Sequence, residues 1–278
     1  MTLIADSGST KTDWALVLPT AVLYCHTQGI NPFHQTEEQI RSVLGGELLH
    51  HLDAKDVRYV RFYGSGVRPE CEAPMEALLR ATFPRAIEVE AHSDLLGAAR
   101  ALCGRNEGIA SILGTGANSC LYDGRQIVCN TPALGYILGD EGSGAVLGKR
   151  LLHDLYGGVL SEEIRCRFES ETGLSLPELI NRVYRQPLAN RFLASLSEFI
   201  HRHLDEEPAL QTLVRQNFID FLRLHVAPYG RRDLPVSFVG SIAWYYQAQL
   251  REATDACGCQ FGTVMKSPLE GLVDYHLA

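Results

Sequence analysis

Two short turns of small polar residues most constrain how this chain can fold, because each follows the first strand of a similar series of elements. The first turn, Ser7-Gly8-Ser9-Thr10, comes after an apolar strand that ends at Asp6. The second, Gly114-Thr115-Gly116, comes after an apolar strand predicted over 108–113. Each half then predicts two more strands, a helix and strand–helix pairs. This order predicts an internal structural duplication that divides the chain near residue 106.

The spacing of the elements also predicts how the strands pair. The second and third strands of each half are too closely linked for a helical crossover, so we expect them to pair antiparallel. The later strands follow helices and are expected to be parallel. Apolar spacing predicts helices over Glu37–Leu52 and Ile242–Ala253, and only helices between about 161 and 225. The sequence therefore predicts an α/β protein with domains over 1–106 and 107–278 and a helical insertion at about 157–230.

Composition excludes several classes of protein. The chain has 278 residues, 46% of them hydrophobic, and a net charge of -8, which argues against nucleic acid as the main partner. No apolar run approaches the ~18 residues of a membrane span, and the N-terminal segment lacks the pattern of a signal peptide. The 8 cysteines are scattered, which favours reduced thiols. We therefore predict a cytoplasmic protein with no membrane partner.

The two turns have the chemistry of phosphate-binding loops. Glycine lets backbone amides approach a phosphate closely, and hydroxyls such as those of Thr10 and Thr115 add donors. Asp6 can orient water on Mg²⁺, and Lys11 adds a compact positive charge. Taken alone, the first segment is equally compatible with a polar hairpin turn. A third loop, Gly240-Ser241, joins a predicted strand to a helix and has amides suited to border the adenosine end of a nucleotide.

Two common nucleotide motifs are excluded. Ser119 stands where the third glycine of a dinucleotide fingerprint is needed, and a strand follows instead of a helix. The nearest P-loop candidate, Gly148-Lys149, continues into Arg150 and has Ser143 in place of its first glycine. The glycine loops therefore belong to another class of phosphate site.

An ordered set of motifs carries a resemblance to a known family. The chain resembles the actin/sugar kinase/heat-shock-protein ATPase superfamily, and within it the N-acetylglucosamine kinase branch of the BadF/BadG/BcrA/BcrD ATPases. The resemblance implies two ribonuclease-H-like domains, with ATP and substrate in the cleft between them. The supporting segments cover nearly the whole chain and are 6–13, Ser93-Asp94, 114–119, 139–143 and 239–241.

The resemblance also implies roles for single residues. It makes Asp94 the catalytic base and a substrate contact, although its local sequence favours a helix cap. It places the metal on Asp6 and makes Asp140 a ligand of sugar hydroxyls, where the local sequence also fits capping. The implied cofactors are ATP and Mg²⁺. The implied nucleotide contacts are Asp6, Gly8, Ser9, Thr10, Lys11, Gly114, Thr115, Gly116, Gly240 and Ser241. The further implied substrate contacts are Asn31, Ala117, Asn118, Leu134 and Gly135.

The sequence leaves the acceptor and two rival functions open. Leu134 stands where members of this branch carry a tryptophan, so glucosamine, another amino sugar or a larger glycan fragment are candidate acceptors beside N-acetylglucosamine. One rival is an ATPase that activates a dehydratase or benzoyl-CoA reductase through a bridging iron–sulfur cluster, for which Cys103 and Cys129 are the candidate ligands. The other is a sugar sensor without the base, against which Asp94 argues. A homodimer is compatible with the sequence.

Overall fold

The computed structural model describes residues 1–8 and 10–277, which form two compact units. The first unit contains residues 1–106, the short segment 123–127 and the chain from Ser267 onward. The second contains residues 107–122 and 128–266. Ser9, which the resemblance assigns to the nucleotide site, lies outside the described residues.

Each half of the chain begins with three consecutive strands, and a series of helices separates β8 from β9. The strands are β1 (Thr2–Ser7), β2 (Lys11–Val17), β3 (Val22–Gln28), β4 (Tyr59–Gly64), β5 (Glu88–Ser93), β6 (Glu107–Leu113), β7 (Ala117–Asp123), β8 (Ile127–Asn130), β9 (Pro235–Val239) and β10 (Gln260–Met265). The helices are α1 (Glu37–Gly46), α2 (Pro69–Thr82), α3 (Asp94–Cys103), α4 (Gly135–Leu138), α5 (Gly144–Tyr156), α6 (Glu162–Thr172), α7 (Leu176–Tyr184), α8 (Ala189–Ser195), α9 (Ser197–His203), α10 (Pro208–Phe221), α11 (Ser241–Tyr245), α12 (Gln247–Ala256) and α13 (Leu269–Leu277).

The two sheets repeat one topology. The first sheet has the order β3-β2-β1-β4-β5, and the second has the order β8-β7-β6-β9-β10 when it is counted from its β8 edge. In the first sheet β2 is antiparallel to β1 and β3, whereas β4 and β5 run parallel to β1. In the second, β9 is parallel to both β6 and β10. The predicted structural duplication is thus confirmed in strand order, with β6 in the place of β1.

Each unit has its own hydrophobic core. In the first unit the buried strand residues Leu3, Val60 and Val89 belong to a cluster that α1 joins through Leu44. In the second unit the helices between β8 and β9 pack against the sheet through a larger cluster that includes Phe218. Burial of these apolar side chains is the main favourable contribution to folding. No helix in residues 1–8 and 10–277 is long and apolar enough to span a membrane.

The structure corrects two helices predicted from the sequence and contains one that was not predicted. The helix predicted over Glu37–Leu52 ends at Gly46, because glycine is a poor helix former, and a 3₁₀ turn Leu48–His50 follows. The helix predicted over Ile242–Ala253 is split at Tyr246, whose buried hydroxyl donates to the carbonyl of Ser197 at 2.5 Å. The short helix α4 was not predicted.

The C-terminal helix α13 belongs to the first unit. Gly271 of α13 lies against Ala101 of α3, where a Cβ would come within 2.8 Å of the Ala101 carbonyl oxygen. The predicted division at residue 106 assigns this helix to the second domain. The predicted domain limits, 1–106 and 107–278, and the helical insertion predicted at about 157–230 stay predictions.

Candidate active site

Asp6 lies near the end of β1, beside the turn to β2. It stands opposite Asp13 in the strand register, and the Asp13 carboxylate pairs with Lys11 at 2.8 Å. The pKa of Asp6 is raised to about 7, mainly by burial, then by the negative charges of Asp94 and Asp13, with a smaller lowering by Lys11. Asp94 and Asp13 thus both act on Asp6, an arrangement that a cation would stabilise.

The first turn is held at its base by buried hydroxyl groups. The Oγ of Ser7 lies 2.6 Å from the Oγ1 of Thr12 and donates to the carbonyl of Ile30 at 2.9 Å. The N–H of Gly8 donates to the carbonyl of Lys11 at 3.0 Å. These bonds fix the two ends of the turn, and Thr10 remains exposed to solvent.

Asp94 is the first residue of α3. The N-cap is the preceding residue, Ser93, whose Oγ accepts the N–H of Leu96 at 3.3 Å. The Asp94 carboxylate accepts the N–H of Leu95 at 2.8 Å, and burial raises its pKa. Because Ser93 already caps the helix, capping alone does not account for a half-buried carboxylate at this position.

Asn31 is buried in the first unit, and the surrounding turns are shaped around it. Its backbone N–H donates to Gln35 Oε1 at 2.7 Å, and its Oδ1 accepts the N–H of Phe33 at 3.1 Å. A Cβ on Gly66 would lie 2.0 Å from that Oδ1, and Gly66 has a φ of +80°. Only glycine therefore fits there. The residues Gly64-Ser65-Gly66 are typical of a turn, but nothing in the sequence indicates that this turn supports Asn31.

The glycine loop after β6 is bonded to the start of α5. The carbonyls of Gly114 and Thr115 accept the N–H groups of Gly144 at 2.8 Å and Ala145 at 3.2 Å. These two N–H groups are in the first turn of α5, where the helix itself supplies no carbonyl acceptor. The loop is thus fixed by α5, while the Thr115 side chain remains exposed.

The third predicted loop lies directly beside this one. A Cβ on Gly240 would lie 2.4 Å from the carbonyl oxygen of Leu113, and the φ of Gly240 is +122°. The N–H of Gly240 donates to the carbonyl of Met265 at 3.0 Å. Because β6 and β9 are parallel neighbours, their carboxyl ends bring the loops at Gly114 and Gly240 together, as a nucleotide site requires.

Asp140 is held by an unusual backbone. Its φ is +61°, in the left-handed region that aspartate tolerates better than most residues. Its buried carboxylate accepts the backbone N–H groups of Ala117 and Gly135, and burial raises its pKa. A Cβ on Gly116 would lie 3.0 Å from its Oδ2. The second unit therefore brings together Ala117, Gly135 and Asp140, all predicted to contact the substrate.

Asn118 is oriented by a residue that the sequence did not indicate. Its Oδ1 accepts the N–H of Ser119 at 2.9 Å and the Nδ2 of Asn130 at 3.0 Å. The same Asn130 nitrogen donates to the carbonyl of Ser119 at 2.7 Å. With its oxygen used in this way, Asn118 offers its amide N–H groups to a ligand.

A hydrogen bond between His225 and Glu141 lies next to Asp140 in the chain. The Nε2 of His225 is 2.8 Å from the Oε2 of Glu141, and the imidazole stacks on Phe221. His225 lowers the pKa of Asp140, whereas Glu141 raises it. No motif in the sequence identified His225, since it lies far along the chain from Glu141.

The short helix α4 presents apolar side chains beside these polar groups. Leu134, which precedes α4, is 59% exposed, and Ile137 and Leu138 are also exposed. Lys149 Nζ donates to the carbonyl of Tyr136 at 2.8 Å and holds α4 from one side. Leu134 thus offers an apolar contact surface where the resembled branch carries an aromatic ring.

The carboxylates fit Mg²⁺ bound with a nucleotide better than a metal held by protein ligands alone. Within residues 1–8 and 10–277, no group of three or more His, Cys, Asp and Glu side chains is arranged to hold a metal ion. Mg²⁺ usually takes one or two carboxylates and completes its shell with water and phosphate oxygens. Asp6, whose pKa is raised by two neighbouring carboxylates, fits that mode.

Comparison with solved structures identifies proteins that are similar to this chain over nearly its full length, at different levels of sequence identity. A protein of Porphyromonas gingivalis provisionally named N-acetylglucosamine kinase has 48% identity, with a TM-score of 0.95 over 99% of this chain and 98% of that chain. A protein of Chromobacterium violaceum, named provisionally in the same way, has 18% identity and a TM-score of 0.76 over the same shares. A ROK family glucokinase of Streptomyces griseus, solved with glucose and AMPPNP, has 13% identity and a TM-score of 0.58 over 98% of each chain. No protein-family model and no curated protein matched the chain.

The repeated sheet topology and the glycine loops define an actin-like ATPase with two ribonuclease-H-like domains. The expected fold class is confirmed. At 48% identity over nearly the full length of both proteins, the chain belongs to the N-acetylglucosamine kinase branch of the BadF/BadG/BcrA/BcrD ATPase family.

Proposed function

We propose that this protein is a kinase that uses Mg²⁺ and ATP to phosphorylate a hydroxyl of N-acetylglucosamine or a related amino sugar. The observation that carries the proposal is Asp94, a half-buried carboxylate whose pKa is raised by desolvation, on a helix that Ser93 caps. Phosphoryl transfer to an alcohol needs such a group to orient the hydroxyl and accept its proton. The relative from Porphyromonas gingivalis supports the choice of acceptor.

The other residues have roles that follow from their chemistry. Asp6 would hold the metal through water, and the metal would neutralise charge on the phosphates. The loops at Gly8–Lys11, Gly114–Gly116 and Gly240–Ser241 would hold the nucleotide through backbone amides and hydroxyls. Thr10 and Thr115 are exposed in these loops and have hydroxyls to donate.

Several polar groups named in the sequence analysis would bind the acceptor. Asn31 in the first unit, and Asn118 and Asp140 in the second, would pair with sugar hydroxyls, while Ala117, Leu134 and Gly135 would supply backbone and apolar contacts. Matching each hydroxyl matters because an unpaired buried polar group costs ~1–3 kcal/mol. An acetamido or amino sugar is therefore expected to outperform plain glucose.

A coupled ADP-release assay tests the proposal directly. N-acetylglucosamine, glucosamine, N-acetylmannosamine and glucose are offered separately to the wild type, to Asp94→Asn and to Glu38→Gln, which changes an exposed carboxylate of the same unit. We expect an amino sugar to give the highest rate, and Asp94→Asn alone to lose it. ADP release without any sugar dependence would contradict a sugar kinase.

The activator ATPase is less well supported. The relative at 48% identity is provisionally named a sugar kinase, and no paired cysteine motif surrounds Cys103. Cys129, the other candidate, is exposed. Absorbance of the anaerobically purified protein near 400 nm would support the cluster, and a colourless active kinase would contradict it. The sugar sensor predicts sugar binding without turnover, which the same assay separates.

The remaining predictions concern the protein's surroundings. A cytoplasmic location and the absence of a nucleic-acid partner stay predictions from charge and composition. A homodimer is tested by light scattering after gel filtration, with and without the sugar.

A further inference from the structure

A cavity of about 230 Å³ lies in the second unit, away from the residues proposed for catalysis. Its floor includes Ile109 and Val236, which pair in register near the beginnings of β6 and β9. The loops at Gly114 and Gly240 follow the other ends of these strands. The cavity is therefore at the edge of the sheet opposite the nucleotide loops.

The cavity combines an apolar interior with a cationic rim. Ile109, Val236, Leu222 and Val226 line it and are buried. The cavity is also lined by Arg223, Arg231 and Arg232. Small-molecule sites are mostly apolar, with a few polar groups that fix the orientation of the ligand.

Two of the three arginines lack a partner for their charge. Arg231 pairs with Asp233 at 2.8 Å and with Glu107 at 3.1 Å. Across the described part of the chain, Arg223 and Arg232 form no ion pair within 4.0 Å. A guanidinium group donates two parallel hydrogen bonds to a carboxylate or a phosphate, so both side chains are suited to an anion.

One wall of the cavity is a π turn. In the segment Leu222–Val226 the helix widens, and the N–H of Ala227 donates to the carbonyl of Leu222. The carbonyl of His225 accepts Ser119 Oγ at 3.0 Å and Thr131 Oγ1 at 2.9 Å. These bonds join the π turn to β7 and to the residue that follows β8. Such π turns are rare and frequently occur at functional sites.

The volume limits the size of a ligand. It exceeds the ~150 Å³ of an engineered cavity that binds benzene and is smaller than the ~300–1,000 Å³ of sites for drug-sized molecules. A ligand with an apolar body of about six carbons and one anionic head group therefore fits.

We propose that this cavity is a second ligand-binding site, specific for a small organic anion whose apolar body fills the interior and whose head group pairs with Arg223 and Arg232. Carboxylates and phosphate monoesters share this chemistry. The site is independent of phosphoryl transfer, so its binding is measured without any activity.

Calorimetric titration under reducing conditions, which keep Cys257 and Cys259 as thiols, tests the proposal. The probes are hexanoate, phenyl phosphate, inorganic phosphate and 1-hexanol, each with a saturating non-hydrolysable ATP analogue and N-acetylglucosamine present so that the catalytic site is filled without turnover. We expect hexanoate or phenyl phosphate to bind with a Kd on the order of 0.1–1 mM. Hexanol and inorganic phosphate should bind at least about tenfold more weakly, since hexanol lacks the anionic head group and inorganic phosphate lacks the apolar body. The stronger of the two organic anions identifies the head group.

Variants place the binding in the cavity. The double variant Arg223→Gln/Arg232→Gln should weaken the organic anion at least about tenfold, and Ala256→Trp, which fills the cavity from its lining, should abolish binding. Arg215→Gln, on an exposed position of α10 outside the lining, should leave it unchanged. Binding that survives both the charge change and the filled cavity would overturn the proposal. So would equal affinity for hexanol and hexanoate, or no binding by the wild type. None of these outcomes depends on whether the protein phosphorylates a sugar.

Discussion

The two units share one sheet topology but hold their proposed functional carboxylates in different ways. In the first unit Asp6 is on β1 and Asp94 begins α3, so both are set by regular elements. In the second unit Asp140 lies in an irregular segment with a left-handed backbone, held by the N–H groups of Ala117 and Gly135.

The two arrangements suit two different requirements, namely the chemistry of phosphoryl transfer and the recognition of a sugar. A base and a metal-side carboxylate need fixed geometry and a tuned pKa, which strand ends and helix starts provide on rigid elements. A residue that recognises a particular sugar is better placed on a loop, where sequence changes reshape the site without disturbing the core. We therefore expect changes at Asp6 and Asp94 to affect chemistry and changes at Asp140 to affect acceptor binding.

The sharpest test of this comparison is Asp94→Asn. Loss of the base should lower the turnover of the sugar by ~10²–10⁴ while ATP binding stays within a few-fold of the wild type, because the nucleotide loops are untouched. Steady-state kinetics and nucleotide calorimetry measure the two effects. Near-normal turnover would remove Asp94 from the role of base.

The second test changes Asp140 in two ways. Asp140→Ala should raise the KM for the sugar ~10–100-fold, which corresponds to losing a charged hydrogen bond, with little change in the KM for ATP. Asp140→Asn should lose less, because asparagine keeps an acceptor oxygen and tolerates the left-handed backbone. Equal losses for sugar and ATP would contradict the separation of recognition from chemistry.

A third test asks whether the first unit also contributes to recognition. Gly66→Ala introduces a Cβ that would lie 2.0 Å from Asn31 Oδ1 at a φ of +80°. We expect a rise of roughly fivefold in the KM for the sugar and a loss of stability of roughly 1–2 kcal/mol. Gly45→Ala is the matched control, since a Cβ there meets nothing within 4 Å and alanine favours the helix. Unchanged kinetics in Gly66→Ala would remove Asn31 from the acceptor site.

The smallest effect concerns the polar network behind α3. Tyr63 accepts a hydrogen bond from Arg100 at 2.7 Å and lies 2.8 Å from His276 Nε2. Burial and the nearby arginines lower the pKa of His276 from 6.5 to about 4. As the pH falls, this histidine therefore takes up a proton at a higher pH in the unfolded chain than in the folded protein. The free energy of unfolding decreases as the pH falls from 6.5 to 4.

His276→Gln removes this titration. Between pH 6.5 and pH 4 the wild type should lose about 1–2 kcal/mol more than the variant, after allowance for solvent screening. Urea unfolding at both pH values measures the difference. Parallel losses in the two proteins would show that other groups dominate the acid sensitivity.

The fold was predictable because it depends on repeated local signals. The order of strands and helices, and the small-residue turn after the first strand of each half, were sufficient for the topology. The break at Tyr246 was not predictable, since it depends on a hydroxyl that reaches the carbonyl of Ser197 from a distant helix. Apolar periodicity carries no information about such a contact.

The sequence singles out the carboxylates and glycines of the candidate site but not the residues that support them in the structure. Asn130 and His225 act through tertiary contacts with Asn118 and Glu141, and neither belongs to a motif. Local sequence patterns reveal groups that are close along the chain, whereas these supports come from strands and helices that meet only in the folded protein.

The left-handed backbone at Asp140 has a consequence for how the family diversifies. Most residues at this position carry a conformational penalty of roughly 1–2 kcal/mol in addition to the loss of the carboxylate, so few viable single-step replacements exist. Altered acceptor preference should therefore arise first at neighbours with ordinary backbone, such as Leu134. A directed-evolution library would do best to hold Asp140 fixed and vary the exposed positions around it.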